Sequence, residues 1–520
     1  MTAINAVNDI GRDGPVVAER PVPGTPRPYA FPAVATHRLA NGLTILIADL
    51  PGRPLVSASL IMANGAADEP AELAGATVLA ARALSEGTER YDAIGLVEAA
   101  ERLGASLHAE AGWDALSAGV EVPVDRLPAA LDLLAELVLR PTFPASEVER
   151  LREERLNDLL QARADPRRRA EEAFIDTIYA QSSPYHRSAG GIRETVERLR
   201  PADLRAAYER GLDPARATLI VSGEVGGLDI LAIVDRLFGG WVAAPGSMRV
   251  ATIDDTGAPG GRVVRIVHRP GSVQTEIRVG HVGLPRKIPD FHAVGVMSAI
   301  LGGLFNSRLN MRLREEKGYT YGAGAGFDLR RGAGPFAARA AVNTDVTVPA
   351  IVELLAELAR MRDEPVTDEE VTAARDYLIG VFPLRFETAG AVGGALGGLV
   401  VHGLSVDELV AYRERIEAVD GAAIEAAARA HLHVDDAAIV LVGDADAFGA
   451  DLEAAGLGRI VIERDDVGGA PGAADAEAEV PGPVDDQAEA GPTAGAEEPS
   501  GTGTEEGVEP EGIGEQVDPG

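Results

Sequence analysis

Arg314 and Tyr321 are the residues whose types and spacing most directly suggest chemistry. Both side chains are hydrogen-bond donors. They lie within residues 299–327, AILGGLFNSRLNMRLREEKGYTYGAGAGF. This stretch reads as a glycine-marked turn, an amphipathic helix, a tight helix stop and a strand. Leu304, Leu309 and Leu313 recur at near-helical spacing, and Gly318 sits where a left-handed C-terminal cap is wanted. Beyond Gly318 the sequence alternates with a period of two, and one face is reduced to glycine and alanine. Such a face lets another backbone approach closely. Arg314 ends the helix and Tyr321 falls in the strand, so a tight turn between them brings guanidinium and phenol to one spot. The plainer alternative is an Arg complementing the helix dipole and a Tyr packed in a sheet.

Other constellations are sparse. The nine histidines form no HxxxH, HExxH or HxxEH; His431-Leu432-His433 is the one close pair, at a helix-to-strand junction. An i, i+2 pair can chelate, but such pairs are mostly solvated. The absence of cysteine excludes thiol nucleophiles, disulfides and thiolate metal sites. The run GGALGG (393–398) lacks the strand-to-helix context of a phosphate cradle.

The run Ser307-Arg308-Leu309, Leu313-Arg314-Glu315, Gly318 and Tyr321 resembles the C-terminal-half motif of the pitrilysin/insulinase-type zinc peptidase family. The resemblance implies that Arg314 and Tyr321 contact substrate backbone and help polarise the scissile carbonyl. It also implies an HxxEH zinc motif in the first half, where two histidines one turn apart bind the metal and the Glu activates water. The matching frame is Gly75 to Thr88, and Gly75, Gly87 and Thr88 fall where the family pattern has them. Val78 and Arg82 stand in place of the histidines and Ala81 in place of the Glu. Valine has no lone pair, arginine repels a cation and alanine takes no proton. Glu153 or Glu154 lies near where the third family ligand is expected, and without the histidines either is a surface carboxylate. No metal is expected in this chain.

The elements that must position these residues repeat. In the first half a hairpin with an Asn41-Gly42 turn is followed by a strand (PLVSASLIMANG), helices over 71–85 and 92–103, and two strands within ASLHAEAGWDALSAGVEVP. A helix then stops before Pro141, and a long charged helix opens with a Ser146/Glu149 capping box. VERLRPADLRAAYERGLDPARATLIVSGEV is mirrored by IEAVDGAAIEAAARAHLHVDDAAIVLVGDAD, and SEVERLREERLNDLL by TDEEVTAARDYLIGVF. The expected fold is α+β, two homologous tandem domains, each a mainly antiparallel sheet packed against helices. The expected boundaries are a disordered arm (1–32), the first domain (33–245), a linker (246–261), the second domain (262–462) and an acidic disordered tail (463–520).

The net charge of −33 is unevenly spread, since the 56 residues from Asp465 onward hold 16 acids and no Lys or Arg. That balance excludes a basic nucleic-acid face, and no apolar run reaches the length of a membrane span. The start of the chain lacks a signal-like pattern, so a cytoplasmic location is expected. The resemblance therefore implies a non-catalytic, substrate-binding subunit of a heteromeric zinc metallopeptidase acting on unfolded peptides. Zinc would reside in a homologous HxxEH-bearing partner, in a heterodimer inactive without it. The alternatives are a structural or assembly protein of the same fold and, less favoured, a self-sufficient metalloendopeptidase.

Overall fold

The computed structural model describes residues 28–247, 252–258 and 260–464. Two six-stranded sheets organise them. The first contains β1 (Val34–Arg38), β2 (Thr44–Asp49), β3 (Leu55–Met62), β4 (Ser106–Ala111), β5 (Leu116–Pro123) and β6 (Ala217–Gly223), in the order β1-β2-β6-β3-β5-β4. The second contains β7 (Val263–His268), β8 (Gln274–Val282), β9 (Ala323–Phe327), β10 (Pro335–Asn343), β11 (Ala438–Gly443) and β12 (Arg459–Arg464), in the order β12-β7-β11-β8-β10-β9.

Most neighbours are antiparallel; β2/β6, β11/β7 and β12/β7 are parallel. The mirrored segments occupy equivalent places. The helices Pro201–Gly211 and Gly421–His431 each lead into a central strand, β6 and β11, buried along its whole length. The symmetry fails at one edge, where the first sheet uses its opening strand and the second uses the last strand of the described chain.

A continuous apolar strand such as TLIV or AIVLV needs cover on both faces. Here each half covers one face of the other's sheet. Along β2, Ile45 joins the first half's own core, whereas Leu46 and Ala48 face Val392, Leu396 and Phe386 of the second half. Along β11, Ile439 and Leu441 join the second half's own core, whereas Val440 and Val442 face Phe174 and Ile178 of the first. The covering helices are Ala389–Val401 and Pro166–Ile178. Gly393 and Gly397 lie against this sheet, an added Cβ falling 3.0 Å from Ser222 Oγ and 3.5 Å from Ile61 Cδ1 respectively. GGALGG is thus a packing surface. Polar ties accompany the exchange: Ser222 Oγ donates to Ala389 O at 2.8 Å, and Arg331 pairs with Asp68 at 2.8 Å. Separating the halves would uncover these side chains at about 1.5–3 kcal/mol for each large one.

Three expectations are corrected. Within the arm expected at 1–32, Tyr29 and Phe31 pack on Phe386 with ring centroids 6.3 and 5.0 Å away, so apolar burial holds the chain from residue 28 onward. The remainder of that arm, parts of the linker and the tail beyond Arg464 lie outside the described residues; β12 takes in residues 463 and 464. Ser146 does not cap the charged helix. That helix, Ala145–Ala164, starts two residues earlier than a Ser146 cap would place it, behind Pro144, with no side-chain cap. The capping box occurs in its counterpart, where Thr367 and Glu370 exchange bonds at 3.2 and 2.9 Å.

Candidate functional site

The helix bearing Arg314 begins after Ser307, runs α-helically through Arg308–Asn310 and widens to π winding over Met311–Glu316. Leu309 and Leu313 are fully buried, and their spacing fixes which face meets the core. Gly318 adopts φ 64°, as a left-handed cap requires, and its N–H reaches Arg314 O at 3.1 Å. The small-residue face of β9 also works as expected: a Cβ on Gly302 would lie 2.2 Å from the Ala325 nitrogen, so the preceding helical turn touches β9 backbone to backbone.

Tyr321 is not in the strand. It precedes β9 in a turn and is 94% exposed. The turn is held from both ends. Asn310 Oδ1 accepts the Ala323 N–H at 2.8 Å, and Asn310 Nδ2 donates to Leu304 O at 3.3 Å. On either side of Tyr321, Thr320 Oγ1 donates to Gly322 O at 2.8 Å and accepts the Gly322 N–H at 3.2 Å. A ring this exposed on a tied turn is displayed rather than packed. Tyr319, by contrast, is partly buried against the second core.

The Arg314 guanidinium lies 4.6 Å from the centroid of Phe305, a ring that is itself 72% exposed, and its other near neighbour is Glu315 at 3.5 Å. No hydrogen bond or ion pair joins Arg314 to Tyr321 among the described residues. Both donors remain available to a ligand. Phe305 and Asn310 were missed from the sequence. The signal for Phe305 was an aromatic two residues before Ser307-Arg308 in a chain that is only 4% aromatic.

The zinc-like frame falls on the helix Ala76–Ala83. Its start is capped by buried Glu69, which accepts the N–H groups of Gly75 and Thr77 at 2.7 and 3.0 Å. Burial raises the Glu69 carboxyl pKa, opposed by these bonds and by Arg187. Val78 is half-buried, Ala81 is fully buried and Arg82 is exposed. Arg82 bonds Glu154 at 2.8 Å, so one of the two carboxylates expected near the third-ligand place already holds a cation. Arg150 binds the other Glu154 oxygen at 2.5 Å and also reaches Glu86 at 2.6 Å and Glu147 at 2.9 Å. Two guanidinium groups, an apolar side chain and a methyl group do not fit a zinc ion. Glu153 is exposed.

The histidines supply no substitute. His431 bonds Asp290 at 2.7 Å, whereas His433 donates its backbone N–H to His281, so the pair does not converge. His268, Asp444 and Asp446 are the one group of three candidate ligands among the described residues. There His268 Nδ1 accepts the Ala445 N–H at 3.1 Å, which puts the neutral ring's proton on Nε2, the nitrogen facing Asp446.

Residues 44–188 match the family model described as insulinase (peptidase family M16), and residues 198–378 match the peptidase M16 inactive domain. A protein of Mycobacterium tuberculosis described as an uncharacterized zinc protease is 25% identical over 370 residues, covering 71% of this chain and 84% of that one. The non-peptidase homolog YmxG of Helicobacter pylori is 24% identical over 322 residues, covering 60% and 72%. The crystal structure of a peptidase M16 inactive domain from Pseudomonas fluorescens superposes with a TM-score of 0.73 at 25% identity, over 79% of this chain and 98% of that one. No helix among the described residues is long and apolar enough to cross a membrane.

Proposed function

The chain belongs to the insulinase-type peptidase family M16, and we propose that it is a non-catalytic subunit that binds unfolded peptides for a zinc-bearing homologue. The observation that carries this reading is the contrast between the two sites. At the zinc frame, Arg82 neutralises Glu154 and no group is left to hold metal or activate water. At the other, Tyr321 is presented to solvent on a turn that several hydrogen bonds hold in place, and Arg314 lies partly exposed on the preceding helix with its guanidinium over the exposed ring of Phe305.

In this reading zinc sits in an HxxEH-containing partner, whose Glu activates the attacking water. Arg314 and Tyr321 donate to peptide carbonyls or to the tetrahedral oxyanion, where one such donor is typically worth about 3 kcal/mol. The arrangement of the sheets offers a place for the peptide. β4 is an edge strand, and an extended segment added to it pairs through main-chain groups with little demand on sequence. The name zinc protease carried by mycobacterial relatives does not extend to this chain, because residues 78, 81 and 82 cannot do that chemistry. The name of the H. pylori relative, a non-peptidase homolog, agrees with an inactive member.

The purified chain alone is expected to contain no stoichiometric zinc by elemental analysis and to leave an unfolded peptide uncut. One zinc per chain together with chelator-sensitive cleavage would overturn the non-catalytic reading.

A further inference from the structure

Each six-stranded sheet ends in two edge strands, and the four edges differ. The preceding helical turn meets β9 backbone to backbone at Gly302. β1 (VATHR) and β4 (SLHAEA) have only small, polar or charged residues at their exposed positions. β12 (RIVIER) is different. It pairs with β7 on one side, from Arg459 opposite Val263 to Arg464 opposite His268, and with no strand on the other among the described residues. Val461 is 38% and Ile462 47% exposed, and they point to opposite faces of the strand. Such an edge presents a row of unpaired N–H and C=O groups flanked by apolar side chains, which is a template for another strand.

The residues of β12 are complementary to themselves. When the strand is laid antiparallel on a second copy about Val461, Arg459 falls opposite Glu463, Ile460 opposite Ile462 and Val461 opposite Val461. Every pair is favourable across antiparallel strands, with opposite charges at both ends and aliphatic contacts between them. A register one residue further on sets Arg459 opposite Arg464, a like-charge pair, and turns the side chains to the other face. Arg459 is exposed and forms no ion pair among the described residues. Glu463 binds Arg169 and Arg265 from its own copy and keeps 33% of its side chain exposed.

We propose that the edge of β12 is a self-association surface, on which two copies of this chain pair antiparallel about Val461. The net charge of −33 opposes their approach, and 16 acids, with no Lys or Arg among them, follow β12 directly from Asp465 onward. Ionic strength therefore governs the association, because screening shortens the reach of these charges from about 30 Å at 0.01 M salt to about 3 Å at 1 M. One strand pair buries less than the ~1,200 Å² at which stable interfaces begin, so the dimer is weak and reversible. The inference does not depend on the proposed peptidase role.

Sedimentation velocity of the full chain at about 0.01 M and about 1 M NaCl tests it. A monomer is expected at the lower salt and a concentration-dependent dimer at the higher. Val461→Lys sets two ammonium groups face to face at the axis, and Arg459→Glu sets a carboxylate against Glu463. Each should weaken the dimer at least about tenfold with an unchanged melting midpoint, since both positions are exposed. The chain has no cysteine, so Val461→Cys has only a second copy to form a disulfide with, and oxidation should yield a covalent dimer. Arg459→Cys should not cross-link, because its counterpart lies about 13 Å away along the strand. A monomer at every concentration in 1 M salt would overturn the proposal. So would a dimer equally strong at both salts, one that survives both charge variants, or one that cross-links as readily through position 459 as through 461.

Discussion

In an assembly with an HxxEH-bearing subunit, Arg314→Ala and Tyr321→Phe are each expected to slow cleavage of an unfolded peptide at least about tenfold, with heterodimer formation unchanged. Tyr321→Phe removes a hydroxyl from a ring that is 94% exposed, so nothing in this chain's packing depends on it. Any loss of rate then reports a bond made to substrate, to the oxyanion or to the partner's site. Arg314→Ala removes a guanidinium whose neighbours here are Phe305 and Glu315, neither of which forms a core contact with it. Tyr319→Phe is the matching control, because Tyr319 keeps its ring against the second core and has no place at the displayed turn. Equal rates for Tyr321→Phe, Tyr319→Phe and the unaltered protein would leave the Tyr321 hydroxyl without a part in cleavage and favour the assembly-protein alternative.

The second large effect concerns metal. Val78 and Arg82 are one helical turn apart, and Glu154 already lies within bonding distance of the side chain at position 82. The Val78→His/Arg82→His variant is therefore expected to go from no bound metal to one zinc per chain, read by elemental analysis after gel filtration. Adding Glu154→Gln should remove most of that zinc. The two-histidine variant should still cut no peptide, since Ala81 offers no group to take a proton from water. Failure to bind zinc in a folded two-histidine variant would show that the backbone here has drifted from the metal-binding geometry as well as the side chains.

Much of this arrangement was legible in the sequence because it rests on local rules. The apolar runs of β6 and β11, the helix stop at Gly318 and the Gly/Ala face of β9 follow from periodicity and backbone sterics within a few residues. What was not legible depends on distant partners. Tyr321 continues the period-2 pattern, yet Asn310 pins the chain at Ala323 and the strand begins only there. The exchange of covering helices joins residues such as Leu46 and Leu396, far apart in sequence, and no local pattern announces it. Ser146 looks like a cap, but Pro144 already provides the extended residue before the helix. At the zinc frame the missing histidines could be read directly. That Arg82 has taken Glu154 for itself required the fold.

The most direct test of the central claim is reconstitution. An HxxEH-bearing homologue, this chain and an equimolar mixture are each assayed against the same unfolded peptide. The account predicts negligible cleavage by either component alone and robust, chelator-sensitive cleavage by the mixture. Full activity of the homologue without this chain, or cleavage by this chain on its own, would contradict it.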